Sequence, residues 1–203
     1  MKLYHYPVSG HSHRVRLFLS LIGVDAELVQ IDLGSGENRA APFLALNRFG
    51  QVPVLEDGDT IVSDSNAILV YLAKKYERSD WLPEDPAGAA AVQRWLSVAA
   101  GQIAYGPGAA RLVVLFNARF DMAEVSARAH AILKLIDAEL DTRVWIAASR
   151  PTLADVALYS YIARAQDGRI ALTSYPAVQA WLARIETLPG FVPFSPEHLA
   201  AAA

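Results

Sequence analysis

Residues 4–16, YHYPVSGHSHRVR, gather two tyrosines, three histidines, two serines and two arginines in thirteen positions. A serine hydroxyl at the mouth of a helix can donate to an anion, and the helix N-terminus adds a partial positive charge. Ser9 and Ser12 are the candidates of that type, with Ser12 placed as the cap of a helix over 12–23 and Ser9 either shaping the turn or acting as donor. Tyr4 and Tyr6 share the strand face opposite His5 and read as packing residues. His11 and His13 form an H-x-H pair, but no third ligand or carboxylate set accompanies them, so no metal is assigned. Arg14 and Arg16 read as ion-pair partners.

The chain has no cysteine. Disulfides, thiolate ligands and a cysteine nucleophile are therefore excluded, and any thiol chemistry must use a thiol brought from outside.

A second cluster lies further on, in NRFGQVPVL (47–55) and DSNAI (64–68). Asp64 and Ser65 fall at a helix start, where side chains and open backbone N–H groups can hold an ammonium and a carboxylate together; an ordinary N-cap is the alternative. A cis bond before Pro53 would turn the Val52 N–H and C=O outward to grip an extended peptide. From spacing alone the trans form is the expectation, because cis X–Pro bonds are about 5–6% of the total.

The elements that must position these residues follow from periodicity. KLYHY (2–6) alternates as a strand, 12–23 carries the helical stripe Val15, Leu19, Ile22, and AELVQIDL (26–33) reads as a second strand. A helix ends at 42–47, VPVLED and TIVSD make a hairpin around Gly58, and 65–76 is a strong helix. The order is βαβαββα over residues 1–78. A charged, Pro- and Gly-rich stretch, 79–86, reads as a linker, and 87–203 as an all-helical domain, with helices at 87–104, 109–119, 123–141, 152–166 and 175–188 and a break at Gly106–Pro107–Gly108.

Composition bounds the partners. The formal net charge of −3, from 18 basic and 21 acidic residues, offers no bulk attraction to nucleic acid. Mean hydropathy is +0.22, yet the apolar run AILVYLA (67–73) is too short to cross a bilayer. The N-terminus lacks a signal-peptide layout, so a cytoplasmic protein without membrane partners is the expectation.

GQVPVL followed by DSNAILVYL resembles the glutathione-binding signature of the cytosolic glutathione S-transferases. RPTLADVALYSY (150–161) resembles that family's helix-capping segment, with Thr152 and Asp155 as an S/T-x-x-D box. YPAVQAWLARIETLPGF (175–191) is similar to its C-terminal helix. The resemblance implies an α/β thioredoxin-like N-terminal domain followed by an all-α C-terminal domain. It also implies glutathione as co-substrate, with no metal, and a homodimer to which NAILVYLAKKY and VQRWLSV supply apolar and aromatic residues, Trp95 being equally placed to serve as internal core.

Carried over by position, the resemblance makes Ser9 the catalytic hydroxyl of the serine classes, plant-type, theta-like or isomerase-like. His11 stands where the isomerase-type motif has cysteine. Val52, ahead of a cis Pro53, would bond the cysteinyl backbone; Asp64 and Ser65, helped by Gln51, would hold the γ-glutamyl end. Arg39 would meet the glycyl carboxylate, with Asn38 where the family has histidine. His11, Tyr105, Arg111 and Phe116 are candidates for a pocket taking a small hydrophobic electrophile. The function implied is transfer through a bound thiolate. A noncatalytic ligand-binding or scaffold protein of the same fold is the alternative.

Overall fold

The computed structural model describes residues 1–194 and divides into two compact units, Met1–Glu77 with residues 189–194, and Arg78–Leu188. The sequence assigned 79–86 to a linker and everything beyond it to the helical domain. In the structure the polypeptide returns to the first unit at Pro189, where the His13 ring lies 3.0 Å from the Val192 carbonyl and stacks on Phe194.

The first unit is a four-stranded sheet in the order β2-β1-β3-β4. β1 (Lys2–His5) runs parallel to β2 (Glu27–Gln30) and antiparallel to β3 (Val54–Asp57), which pairs antiparallel with β4 (Thr60–Ser63). Alternation along β1 decides its two faces: Leu3 and His5 are buried, while Tyr4 sits among Ile31, Phe43 and Val54. Tyr4 meets Phe43 edge-on, with ring centroids 6.4 Å apart, and its hydroxyl donates to Glu56 at 2.5 Å. Helices α1 (Gly10–Leu21) and α3 (Ser65–Lys75) lie against each other, and α2 (Ala41–Leu46) follows a 3-10 turn over Glu37–Arg39.

The second unit is helical: α4 (Pro86–Val98), a π-helical stretch Ala99–Gly108, α5 (Ala109–Phe116), α6 (Met122–Asp141), α7 (Leu153–Ala163) and α8 (Pro176–Glu186). The break expected at Gly106–Pro107–Gly108 does not occur. The π register carries the helix through Pro107, so Pro86–Phe116 is one run of 31 residues. By length and composition alone that run is long and apolar enough to cross a membrane. Its Val92, Trp95, Leu96, Ala99 and Ile103 are buried, and it packs on α6 and α7. A buried core helix passes the same compositional test.

The apolar residues allotted to a dimer face are also spent inside the chain. Ile68, Leu69 and Leu72 of α3 and Trp95 of α4 are buried without any second copy. Helical periodicity shows which residues are apolar but not what covers them.

Candidate functional site

Ser9, not Ser12, caps α1. Its backbone is extended (φ −82°, ψ 120°) and its Oγ accepts the Ser12 N–H at 3.2 Å. The cap lies three residues earlier than expected because Gly10 and His11 already adopt helical geometry. Ser12 is buried in the first turn, where its Oγ accepts the Tyr6 N–H at 3.2 Å. A hydroxyl holds one proton and two lone pairs. Capping uses a lone pair of Ser9, which leaves its hydroxyl proton available to another acceptor.

Asp64 caps α3 in the same manner, with Oδ1 accepting the Asn66 and Ala67 N–H groups at 2.9 and 3.0 Å. Its backbone is left-handed in φ (75°), which is uncommon for a residue with a side chain. Such strain costs about 1–3 kcal/mol and persists where the surroundings impose it. Ile68 N–H goes to the Asp64 carbonyl, so among the described residues the Ser65 N–H is the open donor of the first turn. An exposed carboxylate oxygen and an open N–H therefore lie one residue apart, suited to an ammonium and a carboxylate on one carbon.

The Val52–Pro53 peptide is cis. Pairing of β3 with β1 begins at Val54, so the backbone groups of Val52 lie outside the ladder. Gln51 is exposed, and its carbonyl accepts from Asn47 Nδ2 at 2.8 Å. Asn38 Nδ2 donates to the Gly50 carbonyl at 2.7 Å, and Arg39 Nη1 to the Phe49 carbonyl at 3.3 Å. Gly50 has φ +62°, and a Cβ there would stand 2.9 Å from Arg39 Nη1 and from the Asn38 carbonyl. The 37–39 turn thus clamps the loop that presents Gln51 and Val52, a use for Asn38 that needs no ligand.

Arg14, read from the sequence as an ion-pair partner, instead bonds neutral side chains at the head of α3. It is 1% exposed, and its Nη1 donates to Ser65 Oγ and to Asn66 Oδ1, both at 2.8 Å. His11 Nδ1 lies 3.2 Å from Ser65 Oγ and 3.4 Å from Arg14 Nη1. Burial, then the Arg14 charge, push the His11 ring down to about 3, so it is neutral at physiological pH. The R-V-R spacing suggested ion pairs because the acceptors on α3 are more than fifty residues away in sequence.

The remaining candidates stand in the helical unit and do not converge. Arg111 is buried, with Nε on Asp167 at 2.9 Å, and Asp167 also pairs with Arg164. Tyr105 is 55% exposed and lines an open groove of about 580 Å³ with Gln102, Arg128, Ile132 and Leu135. Phe116, 42% exposed, ends α5 outside that groove.

A small mixed sheet flanked by capped helices, with a cis X–Pro bond leading into β3, followed by a helical unit, defines the class: a thioredoxin-like domain with an all-helical domain after it. The family descriptions "Glutathione S-transferase, N-terminal domain" and "Glutathione S-transferase, C-terminal domain" match residues 1–74 and 110–189. Glutathione S-transferase 3 of Zea mays is 36% identical over 94% of this chain and 91% of its own. A glutathione S-transferase structure from Pseudomonas fluorescens superposes with a TM-score of 0.90 at 30% identity, covering 95% and 98% of the two chains. A glutathione transferase homologue from Drosophila mojavensis, solved with bound glutathione, gives 0.88 at 25% identity over 98% and 94%. The chain belongs to the cytosolic glutathione S-transferase family.

Proposed function

We propose that this enzyme holds the sulfur of glutathione as a thiolate with the Ser9 hydroxyl and directs it at a small hydrophobic electrophile. A free thiol titrates near 8.5, and the thiolate is the nucleophile. Ser9 O–H and the N-terminus of α1 stabilise the anion, and each unit by which the thiol pKa falls is worth about 1.4 kcal/mol. The thiol proton leaves to solvent. The sulfur lone pair forms the new C–S bond, and the leaving group departs with its bonding pair.

Val52 offers its backbone to the cysteinyl unit. Asp64 takes the γ-glutamyl ammonium and the Ser65 N–H its carboxylate, with Gln51 beside them; the exposed Arg39 takes the glycyl carboxylate. An apolar second substrate is part of the proposal, and the apolar side chains of the groove at Tyr105, Ile132 and Leu135 are compatible with one. The assembly proposed is a homodimer, checked by sedimentation.

The observation that carries the reading is that Ser9 caps α1 as an acceptor and so keeps its proton to give. Ultraviolet titration of the bound thiolate tests it. The wild type lowers the thiol pKa, and Ser9→Ala returns it toward the free value. A lowered pKa that the substitution leaves in place removes Ser9 from the role.

A further inference from the structure

Arg14 projects from the second turn of α1 and ends among the first residues of α3. A guanidinium only donates, and the two protons of Nη1 have two close acceptors, Ser65 Oγ and Asn66 Oδ1. Ser65 Oγ is thereby fixed as an acceptor toward Arg14, and its own proton has His11 Nδ1 at 3.2 Å. Two consequences follow. With Nδ1 as the acceptor, as the Arg14 guanidinium on the same side requires, the Ser65 hydroxyl can donate to His11 and the ring proton sits on Nε2. At this position the backbone N–H is then the group offered to a ligand carboxylate.

The network joins two helix starts that the proposed site uses for different ends of one molecule. Ser9 and His11 belong to the first turn of α1; Asp64, Ser65 and Asn66 to the first turn of α3. Buried hydrogen bonds of this kind, one partner charged, have directional geometry and are costly to leave half made. A shift of one turn is therefore transmitted to the other.

Resting on the glutathione reading above, we propose that Arg14 is a positioning residue for the transfer reaction. Through Ser65 and His11 it locks the turn that carries Ser9 to the turn that receives the γ-glutamyl end, so that seating the glutamyl group sets the thiolate donor. Both bonds leave from Nη1 at the far end of arginine's reach; a lysine keeps the charge but its ammonium stops short of that position on a shorter stem.

The test compares wild type, Arg14→Lys, Ser65→Ala and the double variant by two readouts. One is the affinity for S-methylglutathione, which has no thiol; the other is the acid limb of kcat against pH with 1-chloro-2,4-dinitrobenzene. In Arg14→Lys the S-methylglutathione affinity stays within about threefold of wild type, while the acid limb moves up by about half a pH unit or more. Ser65→Ala moves the limb in the same direction, and the double variant adds little to either, as expected for one shared device. If Arg14→Lys does not fold, the shift in Ser65→Ala decides, because that variant keeps the buried charge and removes its shared acceptor. A tenfold or greater affinity loss with an unmoved limb makes Arg14 a binding charge and overturns the proposal. Fully additive shifts overturn it as well. A wild type that does not bind S-methylglutathione overturns the glutathione reading itself, an outcome distinct from the other two.

Discussion

Gly106 and Ala129 approach so closely that a Cβ built on Gly106 would lie 3.1 Å from both the Ala129 Cα and its N. The π-helical stretch and α6 therefore meet backbone to backbone, and the glycine is there for space. Gly106→Ala should cost about 1–3 kcal/mol, as overpacking does. Gly101, in the same stretch, has nothing within 4 Å of its added Cβ, and Gly101→Ala should be neutral or stabilise by about 0.4–1 kcal/mol. Urea unfolding of the pair separates a packing requirement from a loss of helix flexibility.

Asp155 holds three segments of the helical unit. It closes the capping box with Thr152 at the head of α7, and Oδ1 accepts the Ile146 N–H at 3.1 Å and Trp181 Nε1 at 2.9 Å. Burial pushes its carboxyl up, against the opposing pull of these donors. Asp155→Ala strands several buried donors at about 1–3 kcal/mol each. The variant should unfold at markedly lower urea, while Ser9 chemistry in whatever folds is unchanged.

His11 makes stability depend on acid. Its folded value, about 3 against an ordinary 6.5, lies below that of the unfolded chain, so the unfolded state takes up the proton first as pH falls. The contribution is fully present above about 6.5 and is lost as pH falls toward about 3. Unfolding midpoints measured between those limits should fall more steeply for wild type than for His11→Asn. Parallel curves would mean that the ring does not differ between the two states.

At Asp64, capping and ligand binding are separable. Asp64→Asn keeps a cap acceptor and tolerates positive φ, so stability should change little. Asp64→Ala loses about 0.5–2 kcal/mol of cap. Both variants lose the charge that meets the γ-glutamyl ammonium, so both should weaken glutathione binding to a similar degree, measured by calorimetry. A binding loss confined to Asp64→Ala would mean that the cap alone matters.

The sequence by itself determined the element order, the Thr152–Asp155 box and the chain's inability to act through its own thiol. Those depend on local periodicity, on short-range capping chemistry and on the absence of a residue type. The same local logic placed Ser12 as the cap, since S-x-x-S offers two starts and only the backbone path out of β1 chooses between them. It read Gly106–Pro107–Gly108 as a stop, because proline and glycine weaken an isolated helix; contact with Ala129 rewards the glycine instead. It offered the segments holding Ile68, Leu69 and Leu72 to a partner and left Trp95 between partner and core, since apolarity carries no address; all four are buried within the chain. Tertiary structure alone brought Arg14 of α1 to Ser65 and Asn66 of α3. Hydrogen bonds between residues so distant in sequence follow from how helices are set against a sheet, and no spacing within either helix encodes them.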